Sequence, residues 1–163
     1  TKKKTIDLII EHEYGATAEW SNTTTTTGLV FTSPSGPRKV GGTLTLRDQR
    51  GRITKSFRVL TLPSKCSFVV SSSAASALCG IPRDASLLST AELPDAYQKG
   101  ILYTSDDIYA VNLETGDLRL LRSEQRENLD VAQPSSAAQT FFFVNRFDNL
   151  LYFLKLTTST VSQ

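Results

Sequence analysis

Three times along this chain a strand-like segment, a turn of small residues and a second, apolar strand follow one another. The copies are AEWSNTTTTTGLVFTS from Ala18, CSFVVSSSAASALCGIP from Cys66 and VAQPSSAAQTFFFVN from Val131. Trp20, Phe68 and Gln133 fall at matching points ahead of the apolar triplets Leu29-Val30-Phe31, Ala77-Leu78-Cys79 and Phe141-Phe142-Phe143. A third strand follows each: GTLTLRD from Gly42, DIYAVNL from Asp107 and LLYFLKL from Leu150. Two of these run through a tight turn into a fourth, QRGRITKSFRVLTL and ETGDLRLLR, where Gly51 and Gly116 supply the positive φ such hairpins need. Self-similarity of this kind, in β-branched and aromatic runs punctuated by Gly, Pro, Ser and Asp, predicts an all-β chain of antiparallel four-stranded units. The whole of 1–163 reads as one domain, with units at roughly 16–62, 66–122 and 130–156. The segment TIDLII at 5–10 reads as a fourth strand of a preceding unit, or as the strand that closes the last one.

A four-stranded sheet that is apolar on both faces cannot bury both alone, so the units must stack. Propeller blades solve this by packing face to face around an axis, with the short second strands deep between blades and the fourth strands at the rim. Three blades are fewer than a closed propeller requires, so the expectation is a part of a larger β-propeller. The chain opens at Thr1 and holds no methionine, and is accordingly read as a processed product or a piece of something longer.

The units resemble the WD-repeat-like blades of TolB-type propellers, in which x-W-S-x-D-G-x-x-L-x-F-x-S is followed by I-Y-x-x-D-x-x-T-G. AEWSNTTTTTGLVFTS matches the first part, with Asn22 and the threonine run in place of Asp-Gly, and DDIYAVNLETGDLRLL matches the second. Cys66 to Leu156, with its cysteine pair, LPDAYQKG and DDIYAVNLETG, is similar to the C-terminal blades of uncharacterised exported bacterial propeller proteins. The third unit departs most, because AQPSSAAQT lacks both the tryptophan and the Asp-Gly turn.

Only two cysteines occur. Pairing CSFVV with ALCGI symmetrically across SSSAAS sets Phe68 opposite Ala77 and Cys66 opposite Cys79, close enough for a disulfide. The other reading is two free buried thiols acting as small hydrophobes. A disulfide would place the protein outside the cytoplasm: secreted, periplasmic or at the cell surface.

Composition narrows function by exclusion. With 39% hydrophobic and 21% charged residues the chain is ordinarily globular. A net charge of +2, with Lys2, Lys3 and Lys4 diluted by Glu11, Glu13, Asp106 and Asp107, points to no nucleic-acid partner. No apolar run reaches the length of a membrane span. His12 in EHEYG is flanked by glutamates, but neighbours on an extended strand point to opposite faces, so a solvated strand end is expected in place of a metal or proton-transfer site. Asp106 and Asp107 carry the residue type of a calcium or acid/base pair, and the expected role is hydrogen bonding to turn backbone. Asn22-Thr23-Thr24 is a formal glycosylation acceptor and equally a polar turn. No serine lies in G-x-S-x-G. Catalytic, cofactor and metal residues are therefore expected to be none, and an enzyme is disfavoured.

The connection from Pro82 to Gly100 is long for a compact domain. It contains one expected helical turn, from Asp84 to Leu93, with Asp84 as its cap. Leu87, Leu88, Leu93 and Tyr97 make it a candidate partner-contact loop, the alternative being that they pack on their own domain. The expected function is a non-catalytic, extracytoplasmic interaction or scaffold domain with a protein partner, of unassigned oligomeric state. Its competitors are a portion of a propeller hydrolase with catalytic residues elsewhere, and a structural subunit of a surface layer or filament.

Overall fold

Within each sheet every strand pairs antiparallel with the next in sequence, so the chain lays down one meandering sheet after another. The computed structural model describes residues 13–21, 27–34, 40–69, 75–123, 128–137 and 139–156. The first sheet holds β1 (Tyr14–Trp20), β2 (Thr27–Ser33), β3 (Thr43–Asp48) and β4 (Ile53–Ser56) in that order. The second holds β5 (Cys66–Val69), β6 (Ser76–Pro82), β7 (Asp106–Asn112) and β8 (Leu118–Arg122), and the third β9 (Val131–Ala137), β10 (Thr140–Asn145) and β11 (Leu150–Lys155). These are the expected units in the expected strand order. Gly51 and Gly116, at φ +77° and +84°, close the β3–β4 and β7–β8 turns in the left-handed conformation the sequence called for. The 5–10 segment, His12 and the Asn22-Thr23-Thr24 acceptor lie outside the described residues.

The sheets stack with the second in the middle, and the two-residue period of its strands dresses both its faces. Ala77 and Cys79 of β6 and Val111 of β7 meet Leu29, Phe31, Leu44 and Leu46 of the first sheet. The intervening Leu78 and Ile108 meet Val131, Phe141 and Phe143 of the third. Gly80 lets the second and third sheets approach closely. A Cβ there would lie 2.6 Å from Val131 Cβ and 2.9 Å from Asp106 Oδ2, both fixed in the interior. Gly80→Ala should therefore lower stability by about 1–3 kcal/mol through overpacking, read as a reduced denaturation midpoint; an unchanged midpoint would show that the two sheets are not packed this tightly.

Some local expectations need correction. The fourth strand of the first unit ends at Ser56, Phe57 N still donates to Leu44 O of β3 at 3.0 Å, and Phe57 and Leu62 pack into the core between the first two sheets. The residues facing the first member of each apolar triplet are Glu19, Phe68 and Ser136, so Trp20 is offset by one position and Gln133 by three. The shift in the third unit accompanies an irregularity in the β9–β10 pairing and a positive φ at Gln133. The insertion contains two short helices, α1 (Ala85–Thr90) and α2 (Asp95–Gln98), where one was expected. Asp84 does cap the first, accepting a hydrogen bond from Ser86 N at 2.9 Å.

Candidate functional site

The residue just before β5 and the residue just before β9 are Lys65 and Asp130, and stacking of the second and third sheets brings their side chains together. Lys65 ends a 3-10 turn, Pro63–Lys65, and is fully buried. Its Nζ donates to Asp106 Oδ2 at 2.5 Å, Asp130 Oδ1 at 2.6 Å and Thr104 Oγ1 at 2.8 Å. Tyr97 Oη donates to Asp130 Oδ1 at 2.8 Å, and Arg146 Nη1 to Asp130 Oδ2 at 3.1 Å. Thr104 N also donates to Asp130 Oδ2, at 3.3 Å, and Val131 N to Asp106 Oδ2, at 2.8 Å. The Thr104 hydroxyl lies 2.9 Å from Asp106 Oδ1 and 3.3 Å from Asp130 Oδ1, its one proton shared between two carboxyls. Two cations and two carboxyls thus meet with their hydrogen-bonding capacity largely filled, the condition under which buried charge is tolerated.

Arg146 also stacks, its guanidinium carbon 3.9 Å from the centre of the Tyr97 ring and 4.5 Å from that of Tyr103. Burial, then the charge of Asp130, pushes the Tyr97 hydroxyl far above the usual tyrosine range. Burial likewise raises Asp106 above an ordinary aspartate, against the pull of Lys65.

Beside this cluster opens a cleft of about 290 Å³. Thr17, Ala18 and Glu19 of β1 form one wall, Ala132 and Gln133 of β9 another, and Leu62, Ser64, Pro94, Tyr97, Gln98 and Arg146 the remainder. The first strands of the first and third units therefore face a common hollow, and Tyr97 and Arg146 join it to the buried charges. Partial burial raises Glu19 above its ordinary value.

Cys66 and Cys79 form the disulfide, directly opposed in the β5–β6 register with Cα atoms 4.1 Å apart and both buried. Of the four residues expected to contact a partner, only Leu87 is open to solvent. Leu88, Leu93 and Tyr97 are buried in the core between the first two sheets, so these three pack on their own domain. The reason is cooperative: the insertion folds back as helices whose apolar sides close that core. Asp106 and Asp107 separate, as successive strand residues must. Asp106 turns inward, to Lys65 and the backbone of the following unit in place of a local turn. Asp107 accepts from Ser123 Oγ at 2.9 Å and pairs with Arg83 at 3.5 Å.

Lys65, Thr104, Asp130 and Arg146 were not singled out from the sequence. One signal was present: Lys65 and Asp130 each immediately precede the first strand of a repeat unit, so opposite charges occupy equivalent places in successive copies. Among the described residues no helix is long and apolar enough to cross a membrane. The observations define an all-β protein of three stacked antiparallel sheets, held by one disulfide and by a buried ionic junction. In comparison with known proteins, no family model, curated protein or solved structure matches this chain.

Proposed function

We propose that this chain is a non-catalytic interaction or scaffold domain of the β-propeller type, working outside the cytoplasm and binding a protein partner through the cleft between its first strands. The observation that carries the reading is the division of labour at the junction. The strongest charges are spent on one another inside the protein, while the cleft wall presents Glu19, Gln98, Gln133 and Ser64, polar groups suited to hydrogen bonding with a peptide chain. The stacking supports a propeller arrangement, since the middle sheet has both faces covered by its neighbours in sequence. So does the far face of the third sheet, where the opposed pairs Phe142–Phe153 and Val144–Leu151 leave Phe153 63% and Leu151 70% exposed, a surface suited to a further sheet. The Cys66–Cys79 bond supports the location.

Panning a displayed peptide library against the oxidised protein tests the binding role. Peptides should be enriched whose binding falls at least tenfold in Glu19→Arg or Gln133→Arg, with thermal unfolding unchanged. Failure to enrich any peptide, or binders indifferent to both substitutions, would remove the cleft from the proposal.

A further inference from the structure

We propose that Lys65 and Asp106 condense into an intramolecular amide, a covalent tie between the entry to the second unit and its third strand, with Asp130 as the base. Three features of the buried cluster argue for it. The amine nitrogen is held 2.5 Å from a carboxyl oxygen of Asp106, in contact with the group it would attack, and both side chains are sealed from water, the medium that reverses amide formation. Asp130 Oδ1, 2.6 Å from the same nitrogen, is placed to take the proton that makes lysine a nucleophile. Val131 N, 2.8 Å from Asp106 Oδ2, is placed to steady the oxygen that becomes the amide carbonyl.

The two carboxyls are not equivalent. Asp130 faces the Arg146 guanidinium as well as Lys65 and receives the Tyr97 hydroxyl. Among the described residues Asp106 contacts no cation but Lys65, and burial favours its acid form, the better electrophile. Starting from Lys65 ammonium, Asp130 carboxylate and Asp106 carboxylic acid, Asp130 takes one proton from nitrogen. The nitrogen lone pair then attacks Cγ of Asp106. The C–Oδ1 bond breaks as a second nitrogen proton passes to Oδ1, for which the Thr104 hydroxyl, 2.9 Å from that oxygen, is the nearest relay. One C–N bond has formed, one water leaves, and Asp130 holds the first proton until it returns it to solvent. No oxidant, metal or cofactor enters.

The test is intact mass of the purified, reduced and denatured protein, followed by peptide mapping. The expected mass is about 18 Da below that of the sequence, one water lost to the amide bond. Trypsin should then fail at Lys65 and yield a branched peptide joining Lys65 to Asp106. Lys65→Arg keeps the cation but lacks the primary amine, and should have its full sequence mass. The wild-type measurement decides without any variant having to fold: a full-mass chain, a missing water mapped elsewhere, or a link to Asp130 in place of Asp106 would each overturn the proposal, as would a persistent loss in Lys65→Arg.

Discussion

Lys65→Met is expected to lower the free energy of unfolding by about 3–5 kcal/mol, the range for removing one partner of a buried ion pair. The side chain is wholly buried and answers two carboxyls, Asp106 and Asp130, at once. Methionine fills much of the same volume but offers no proton, so two buried acids would face each other with, among the described residues, only Arg146, itself partly exposed, on one of them. Urea denaturation followed by circular dichroism measures the effect. The pair Arg52–Asp48, whose arginine is 71% exposed, gives the contrast, and Arg52→Ala should change stability by no more than about 1 kcal/mol. Equal small losses in both variants would mean that the Lys65 cluster does not hold the second and third sheets together. The amide proposed between Lys65 and Asp106 shifts this result in the same direction, and mass alone separates the two.

Loss of the Cys66–Cys79 bond should cost about 2–4 kcal/mol. The bond closes a short loop, 13 residues in separation, and its main effect in the chain-entropy picture is to restrict the unfolded state. It also sits inside the core between the first two sheets, so the Cys66→Ala/Cys79→Ala double variant adds some loss of packing to the loss of the constraint. Comparing thermal melts of the oxidised wild type and the double variant measures the total. Alkylation before and after reduction, read by mass, checks the bond directly. Two alkylated cysteines in the unreduced protein would remove both this prediction and the argument for an extracytoplasmic location.

The cysteine hairpin shows why part of the structure was legible in advance. Its register depends on a short turn and on alternation of side chains, both local, and the β5–β6 pairing sets Cys66 against Cys79 and Phe68 against Ala77 as that symmetry requires. The Asp84 cap and the Gly51 and Gly116 turns were readable for the same reason, since each depends on a few neighbouring residues. The offsets at Trp20 and Gln133 arose where turns differ in length and a strand carries an irregularity, which aligned motifs do not reveal.

The junction was not legible in this way. Lys65 lies 41 residues from Asp106 and 65 from Asp130, and nothing local to any of them marks it as charge-paired. By itself the sequence determined the strand periodicity, the repeat of antiparallel units and the hairpin register that sets Cys66 against Cys79, because these follow from backbone stereochemistry and side-chain alternation over a few residues. Only the tertiary structure decided that the insertion helices cap their own core, that Asp106 turns inward, and that two aspartates, a lysine and an arginine meet beside a cleft. Burial and desolvation are properties of stacked sheets, and a single strand has neither.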